Sequence, residues 1–72
     1  MYYYDRMRHL ICVPYSIENL HTMADDLGIG RHWFHGGKYP HYDIPKRRIE
    51  EIAAKVVLIA PRALLMIIKT SS

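Results

Sequence analysis

The sequence predicts an α+β fold, in which a single small domain has the element order β-α-(β)-α-β-α and helices cover two or three short strands. The chain has 72 residues, too few for two hydrophobic cores, and half of them are hydrophobic. Residues 8–13 and 56–59 are segments of strand length rich in apolar and β-branched side chains. A stretch with helical periodicity follows the first of these segments.

The first strand and the first helix are predicted with definite boundaries. Pro14 ends the strand predicted for residues 8–13. Ser16 stands at the N-cap, where its hydroxyl can accept a hydrogen bond from the first helical turn. Gly28 stands where a left-handed C′ residue would end the helix. Between these two, apolar residues recur at spacings of three and four and predict one buried stripe: Ile17, Leu20, Met23, Ala24 and Leu27.

The middle of the chain lacks helical periodicity. Residues 31–35 are predicted as a short strand or an irregular ledge, and Gly36 with Gly37 permits a tight turn. Pro45 suits the first position of a second helix, because its fixed φ fits a helix and its missing N–H costs nothing there. The buried stripe of this helix is predicted to be Ile49, Ile52 and Ala53.

The carboxyl-terminal third predicts a strand and a helix. Residues 56–59 form a continuous apolar run, which is typical of a central buried strand. Pro61 begins a third helix that extends to Ile68, and residues 69–72 are predicted as a flexible tail. Because helical segments separate the first and last strands, these strands would pair in parallel if they are neighbours. The alternative is an antiparallel sheet that includes the region of Trp33.

Composition limits the class of protein. The formal net charge of +3 favours an acidic partner, such as nucleic acid or an acidic protein surface. Cys12 is the single cysteine, so it cannot form an internal disulfide, and we expect a buried thiol in a reducing compartment. The sequence has neither a signal-peptide pattern nor an apolar run of membrane-spanning length. We therefore expect a soluble cytoplasmic protein without a membrane partner.

Several side chains belong to the types that bind zinc: His32, His35, His41, Asp43 and Cys12. Their spacing includes neither a CxxC pair nor an HExxH motif, so the sequence predicts no metal site and no cofactor. His41 and Asp43 alternate on an extended segment and could share one side of it. No nucleophile is recognisable beside a base, and the glycines match neither a dinucleotide nor a Walker motif. The chain is therefore predicted not to be an enzyme and to have no catalytic residues.

Two segments are predicted to bind a partner. Residues 1–7 are interpreted as a binding arm, with an edge strand as the alternative, because three adjacent tyrosines cannot all face one core. The first turn of the second helix is basic, although the helix dipole disfavours positive charge there. This turn is either a solvated face, partly neutralised by Glu50 and Glu51, or a patch for an anionic partner. The predicted partner-binding residues are Tyr2, Tyr3, Tyr4, Arg6, Arg8, Lys46, Arg47 and Arg48.

A spaced set of residues runs through the middle of the chain: Ser16-Ile17-Glu18-Asn19-Leu20-His21, Ala24, Leu27-Gly28-Ile29, Arg31, Trp33-Phe34, Pro40-His41-Tyr42-Asp43 and Arg48. In this set the chain resembles a family of small uncharacterised bacterial and phage domains with the pattern S-x-E-E-L-H, A-x-x-L-G, R-x-W-F and P-H-Y-D. The resemblance covers about residues 8–66 and implies no activity. It departs at Tyr4-Asp5, where the family has a more acidic strand, and at Ala60, where it has a serine. The motif residues expected to have a structural or binding role are Arg31, Trp33, Phe34, His35, His41, Tyr42 and Asp43.

In size, basic charge and phage-like character, the chain is also similar to small phage-encoded regulators of bacterial RNA polymerase. This resemblance implies binding near the RNA exit channel, at the β′ amino-terminal region and the β flap. It implies inhibition of initiation by σ displacement and suppression of intrinsic termination. The expected partners are the β′ and β subunits, with nascent RNA or an elongation factor as further candidates. The protein would be a monomer when free and would act in the host cell cytoplasm.

Two other hypotheses belong to different classes of function. The first is a small nucleic-acid-binding domain that acts without polymerase. The second is a metal-dependent hydrolase that uses His32, His35, His41 and Asp43. Salt dependence of binding separates the first from the polymerase regulator, and elemental analysis of the purified protein tests the second.

Overall fold

The structure is a computed structural model that describes residues 1–71. The described residues form five strands: β1 (Tyr2–Tyr4), β2 (His9–Cys12), β3 (Phe34–His35), β4 (His41–Asp43) and β5 (Val57–Leu58). They also form three α-helices: α1 (Ile17–Leu27), α2 (Ile49–Ala53) and α3 (Pro61–Ser71). Short 3-10 turns, Arg31–Trp33 and Lys46–Arg48, precede β3 and α2. The predicted α+β class and single domain are confirmed, with more strands than the two or three expected.

The strands form one mixed sheet in the order β3-β4-β2-β1-β5. β1 lies inside it, antiparallel to β2 with Tyr3 opposite Ile11, and parallel to β5 with Tyr3 opposite Val57. The segment predicted as a binding arm or an edge strand is therefore an interior strand, because partner strands take up the backbone groups on both of its sides. The strands predicted at residues 8–13 and 56–59 are not neighbours and do not pair, since β1 lies between β2 and β5.

The three tyrosines of β1 point alternately to the two faces of the sheet. The hydroxyl of Tyr2 donates to the Asp26 carboxylate of α1, which places α1 on one face. The hydroxyl of Tyr42 lies 2.6 Å from Nδ1 of His21, also on α1. The largest fully buried side chains are mostly apolar: Leu10, Ile11, Leu20, Met23, Tyr42, Ile44 and Ile52, with Asp5 as the charged exception.

α1 has the predicted caps. The Ser16 hydroxyl accepts a hydrogen bond from the Asn19 N–H at 3.0 Å. Gly28 ends the helix with φ 69°, a left-handed conformation that glycine adopts without a steric penalty. The buried stripe begins at Leu20 rather than at Ile17, because Ile17 lies in the first turn and is half exposed.

The carboxyl-terminal elements differ from the prediction in two ways. β5, predicted as a central strand, is an edge strand with exposed Val57 and Leu58, because it pairs only with β1. α3 continues to Ser71, so residues 69–71 are helical rather than a flexible tail, and Ser72 lies outside the described residues. None of the helices within residues 1–71 combines the length and apolar character needed to cross a bilayer.

Candidate functional site

Strand register gathers three histidines and one aspartate on one face of the sheet. His9 of β2 stands opposite Asp43 of β4, and His35 of β3 stands opposite His41 of β4. His41 and Asp43 are two residues apart on one strand, so their side chains point the same way. We call His9, His35, His41 and Asp43 the histidine–aspartate cluster.

The side chains of the cluster are in contact. Oδ2 of Asp43 lies 2.9 Å from Nε2 of His35, and Oδ1 lies 3.4 Å from Nε2 of His41. The rings of His35 and His41 stack with centroids 5.3 Å apart, and the His9 ring meets His41 edge-on at 4.7 Å. One potential ligand atom from each of His9, His41 and Asp43 lies within 4.8 Å of the others. These three side chains are partly buried, which limits the access of water to their ligand atoms.

His41 has an oxygen acceptor next to each ring nitrogen. Its Nδ1 lies 2.7 Å from the Tyr39 carbonyl oxygen, which can only accept, so Nδ1 carries the proton in a neutral ring. Nε2 then presents a lone pair to the Asp43 carboxylate oxygen at 3.4 Å. Two lone pairs facing each other repel, so a cation is favoured between them. A metal ion can supply that positive charge.

The side chain of Asp5 contacts the His9 ring and orients it. Its side chain is 1% exposed, and Oδ1 accepts from the backbone N–H of Met7 at 2.9 Å and of His9 at 3.0 Å. Oδ2 lies 3.0 Å from Nδ1 of His9. The carboxylate therefore holds the proton on Nδ1 and leaves Nε2 of His9 with a free lone pair. A buried carboxylate behind a histidine is the usual arrangement around metal-binding histidines.

Asp5 and His9 are absent from the site residues predicted from sequence. The aspartate starts the turn between β1 and β2, and the histidine is the first residue after it. Arg8 closes this turn with φ 68°, and its N–H bonds to the Asp5 carbonyl at 3.1 Å. Because residues 1–7 are predicted as an arm or an edge strand and residues 8–13 as a strand, no turn is expected here, and no feature of the sequence identifies the pair.

A cavity of about 320 Å³ adjoins the cluster. One side of it is lined by Asp5, His9, Tyr39 and His41. The other side is lined by α3, through Pro61, Leu64, Leu65 and Ile68. The α3 side chains make this cavity mainly apolar. It could hold the apolar part of a ligand whose polar end meets the cluster.

Other residues considered from the sequence as zinc donors lie apart from the cluster. His32 is exposed on the 3-10 turn, where its ring contacts Trp33 at 5.3 Å. Cys12 is buried, and desolvation raises the pKa of its thiol, as expected for a core residue rather than a reactive one. Proximity along the chain therefore does not predict which donors meet.

Arg48, predicted to bind a partner, is used inside the fold. Its guanidinium donates to the carbonyl oxygens of Leu27 at 2.6 Å and Gly28 at 2.7 Å. It also forms an ion pair with Glu51 at 2.8 Å, which lowers the pKa of that carboxyl. The predicted basic patch is thereby reduced to Lys46 and Arg47, which are exposed.

The remaining predicted binding residues occupy different surfaces. Arg8 donates from Nη1 to the Ile44 carbonyl at 3.4 Å, and Arg6 is exposed beside β5 and α3. The tyrosines of β1 are half-buried against the core. The predicted partner-binding residues therefore do not form one continuous surface around a mobile arm.

The family-motif residues divide into two groups. Phe34 and Tyr42 pack with His21 on the α1 face, with the Phe34 ring 4.8 Å from His21 and 5.3 Å from Tyr42. His35, His41 and Asp43 belong to the cluster on the opposite face. Arg31 and Trp33 lie on the first 3-10 turn. The sequence P-H-Y-D thus supplies both a core tyrosine and two members of the cluster.

No curated protein and no solved structure matches this chain. A family model does match it, and the match covers residues 2–70 and therefore the sheet and nearly all of α3. The chain belongs to the family described as protein of unknown function (DUF4031).

Proposed function

We propose that this domain binds one divalent transition-metal ion, zinc in the first instance, through His9, His41 and Asp43. The observation that carries the proposal is His41, whose two ring nitrogens both face oxygen acceptors. A metal ion between Nε2 and the Asp43 carboxylate would replace a repulsive contact by two coordinate bonds. Imidazole and carboxylate are among the ligands that zinc takes in proteins.

The spacing of the donors supports this proposal. Ligand atoms around tetrahedral zinc lie about 3.3 Å apart, given bonds of about 2.0–2.1 Å. Nε2 of His41 and Oδ1 of Asp43 are already 3.4 Å apart. The three donor atoms lie within 4.8 Å of one another, so side-chain rotation would have to bring them closer by at most about 1.5 Å. The contacts of Asp5 with His9 and of His35 with Asp43 would orient two of the ligands.

Three protein ligands would leave a coordination position for water or for a ligand in the adjoining cavity. A bound ion there would act as a Lewis acid. The donor set revises the metal-dependent hydrolase hypothesis, because His9 takes the place of His32, and His35 contacts Asp43 instead of serving as a ligand. The expectation that the protein is not an enzyme stays a prediction, since metal binding does not require turnover.

The test is zinc binding to the full chain after removal of metal with a chelator. Isothermal titration should show one ion per chain, and His41→Ala or Asp43→Asn should weaken binding by at least about tenfold. His32→Ala is the matched control and should bind like the unchanged protein. Absence of stoichiometric binding, or equal binding by His41→Ala, would contradict the proposal.

The transcription regulator inferred from sequence is a second proposal. Exposed Lys46 and Arg47 support it, because they offer positive charge to an acidic polymerase surface. The tyrosine arm no longer supports it, since those residues form an interior strand. A pull-down with purified bacterial RNA polymerase tests it: the Lys46→Ala/Arg47→Ala variant should be retained less than the unchanged chain. Equal retention would remove its remaining structural support.

A further inference from the structure

A second cavity, of about 440 Å³, lies on a part of the surface that does not include the cluster. It is formed where the two 3-10 turns approach the end of α1, and we call it the basic groove. Its lining combines cations, aromatic rings and glycines: His32, Trp33, Lys46, Arg47, Arg48, Gly28, Gly30, Ile29 and Pro45. Its volume lies within the range of small-ligand sites, about 300–1,000 Å³.

We propose that the basic groove binds single-stranded nucleic acid, with a base against Trp33 and His32 and phosphates beside Lys46 and Arg47. This inference is independent of the metal site. It names one class of partner for the positive surface, and its support is the combination of unpaired charge with accessible rings.

The charge in the groove is available. Within residues 1–71, neither Lys46 nor Arg47 forms an ion pair or a side-chain hydrogen bond. Of the two glutamates that follow these cations, Glu51 is held by Arg48 at 2.8 Å and Lys55 at 3.8 Å, and within residues 1–71 no ion pair joins Glu50 to either cation. Lys46 and Arg47 thus face solvent beside Arg48, whose guanidinium is hydrogen-bonded within the fold. An anionic partner could pair with them without breaking an existing contact.

The rings in the groove are held in place. The centroids of His32 and Trp33 are 5.3 Å apart, with an angle of 43° between the ring planes. A Cβ at Gly30 would lie 2.8 Å from Cε1 of His32, so glycine lets this ring fold back over the turn. His32 is exposed and Trp33 is half-buried, which leaves ring surface for a ligand.

Cations beside accessible aromatic rings favour a single strand over other anionic partners. Bases stack on such rings while phosphates follow the charge, and this combination is typical of proteins that bind single strands. A duplex keeps its bases stacked inside and would use only the cations. An acidic protein surface would likewise leave the ring pair without a role.

Fluorescence anisotropy with labelled oligo-U and oligo-dT of about 12 nucleotides tests the proposal. The full chain should bind, and log affinity should fall with log salt with a slope near −1.4, as expected for about two phosphate contacts on a single strand. The Lys46→Ala/Arg47→Ala variant should lose about tenfold in affinity and most of the salt dependence. Trp33→Ala should weaken binding more than Trp33→Phe, which keeps a ring for stacking.

Arg62→Ala is the matched control, because it removes one exposed charge from α3, outside the groove. It should bind within about twofold of the unchanged chain. Chelator-treated and zinc-loaded proteins should bind the oligonucleotides equally, which keeps the result separate from that of the metal site.

The proposal would be overturned by no binding of either oligonucleotide, by equal binding by the Lys46→Ala/Arg47→Ala variant, or by an equal loss in Arg62→Ala. A duplex that binds as well as the single strand would also overturn it. If the two cations prove necessary for polymerase capture but oligonucleotides do not bind, the groove is a protein-docking surface instead.

Discussion

Arg48 closes the carboxyl end of α1 by donating from Nη2 to the carbonyl oxygen of Leu27 at 2.6 Å. The last carbonyl groups of a helix have no partner within it, so they need one from elsewhere. A cation at this end also opposes the negative end of the helix dipole. The ion pair with Glu51 fixes the guanidinium in position. Arg48 therefore joins the start of α2 to the end of α1.

Replacing Arg48 by alanine should destabilise the fold. The two charged hydrogen bonds to Leu27 and Gly28 would be lost, and a clear fall in the free energy of unfolding is expected. Urea denaturation of Arg48→Ala measures it. Arg47→Ala is the matched control and should change stability by less than about 0.5 kcal/mol. Equal stability of the two variants would show that Arg48 does not act as a cap.

Replacing Tyr2, Tyr3 and Tyr4 together by alanine should lower the melting temperature substantially. β1 joins β2 to β5, and the half-buried tyrosine rings pack against the core. Loss of partly buried aromatic side chains costs about 1–3 kcal/mol each, which is large for a domain of this size. Thermal unfolding followed by circular dichroism measures the effect. A nearly unchanged melting temperature would support the binding arm predicted from sequence.

α1 was predictable because both of its ends are encoded locally, whereas α2 begins at Ile49 rather than at the predicted Pro45 and α3 extends past the predicted Ile68 to Ser71. Ser16 caps α1 and Gly28 ends it, and both contacts lie within a few residues of the helix. The place of β1 was not predictable in this way, because β5, the partner that makes it an interior strand, is distant in sequence, and consecutive tyrosines show no alternation of apolar and polar residues. β5 was assigned to the sheet centre on hydrophobicity, which does not distinguish a central strand from an exposed edge.

The candidate metal site was only half predictable. His41 and Asp43 were expected to share one side of an extended segment, and β4 places them so. His9 joins them only through the register of β2 with β4, and metal-binding motifs describe neighbours along the chain. The role of Asp5 cannot be recognised from the sequence, because it depends on the turn that buries its side chain. Contacts between distant strands are set by the whole sheet.

The stability contributed by Tyr2 should disappear at alkaline pH. Its hydrogen bond to Asp26, with burial and the Asp26 charge, raises the pKa of Tyr2 from an ordinary value of 10.0 to about 12. Because the folded-state pKa is the higher one, the contribution is complete below pH 10 and is lost as the pH rises through 12.

Tyr2→Phe isolates this effect, because Tyr15 and Tyr42, whose pKa values are also raised by burial, titrate in both proteins. The variant should be about 1 kcal/mol less stable than the unchanged protein at pH 7. The gap should narrow between pH 10 and pH 12 in urea denaturation. A gap that stays constant with pH would show that the Tyr2–Asp26 bond does not contribute.

Replacing Asp5 by asparagine should weaken zinc binding without unfolding the protein. The amide oxygen can keep the bonds from the N–H groups of Met7 and His9, but its NH₂ group would then face Nδ1 of His9. His9 would move its proton to Nε2, the nitrogen proposed to bind the ion, and affinity should fall about 10–100-fold. Titration with zinc measures this, and Asp25→Asn on the exposed face of α1 is the control. If Asp5→Asn stays folded and binds zinc normally, His9 is not a ligand.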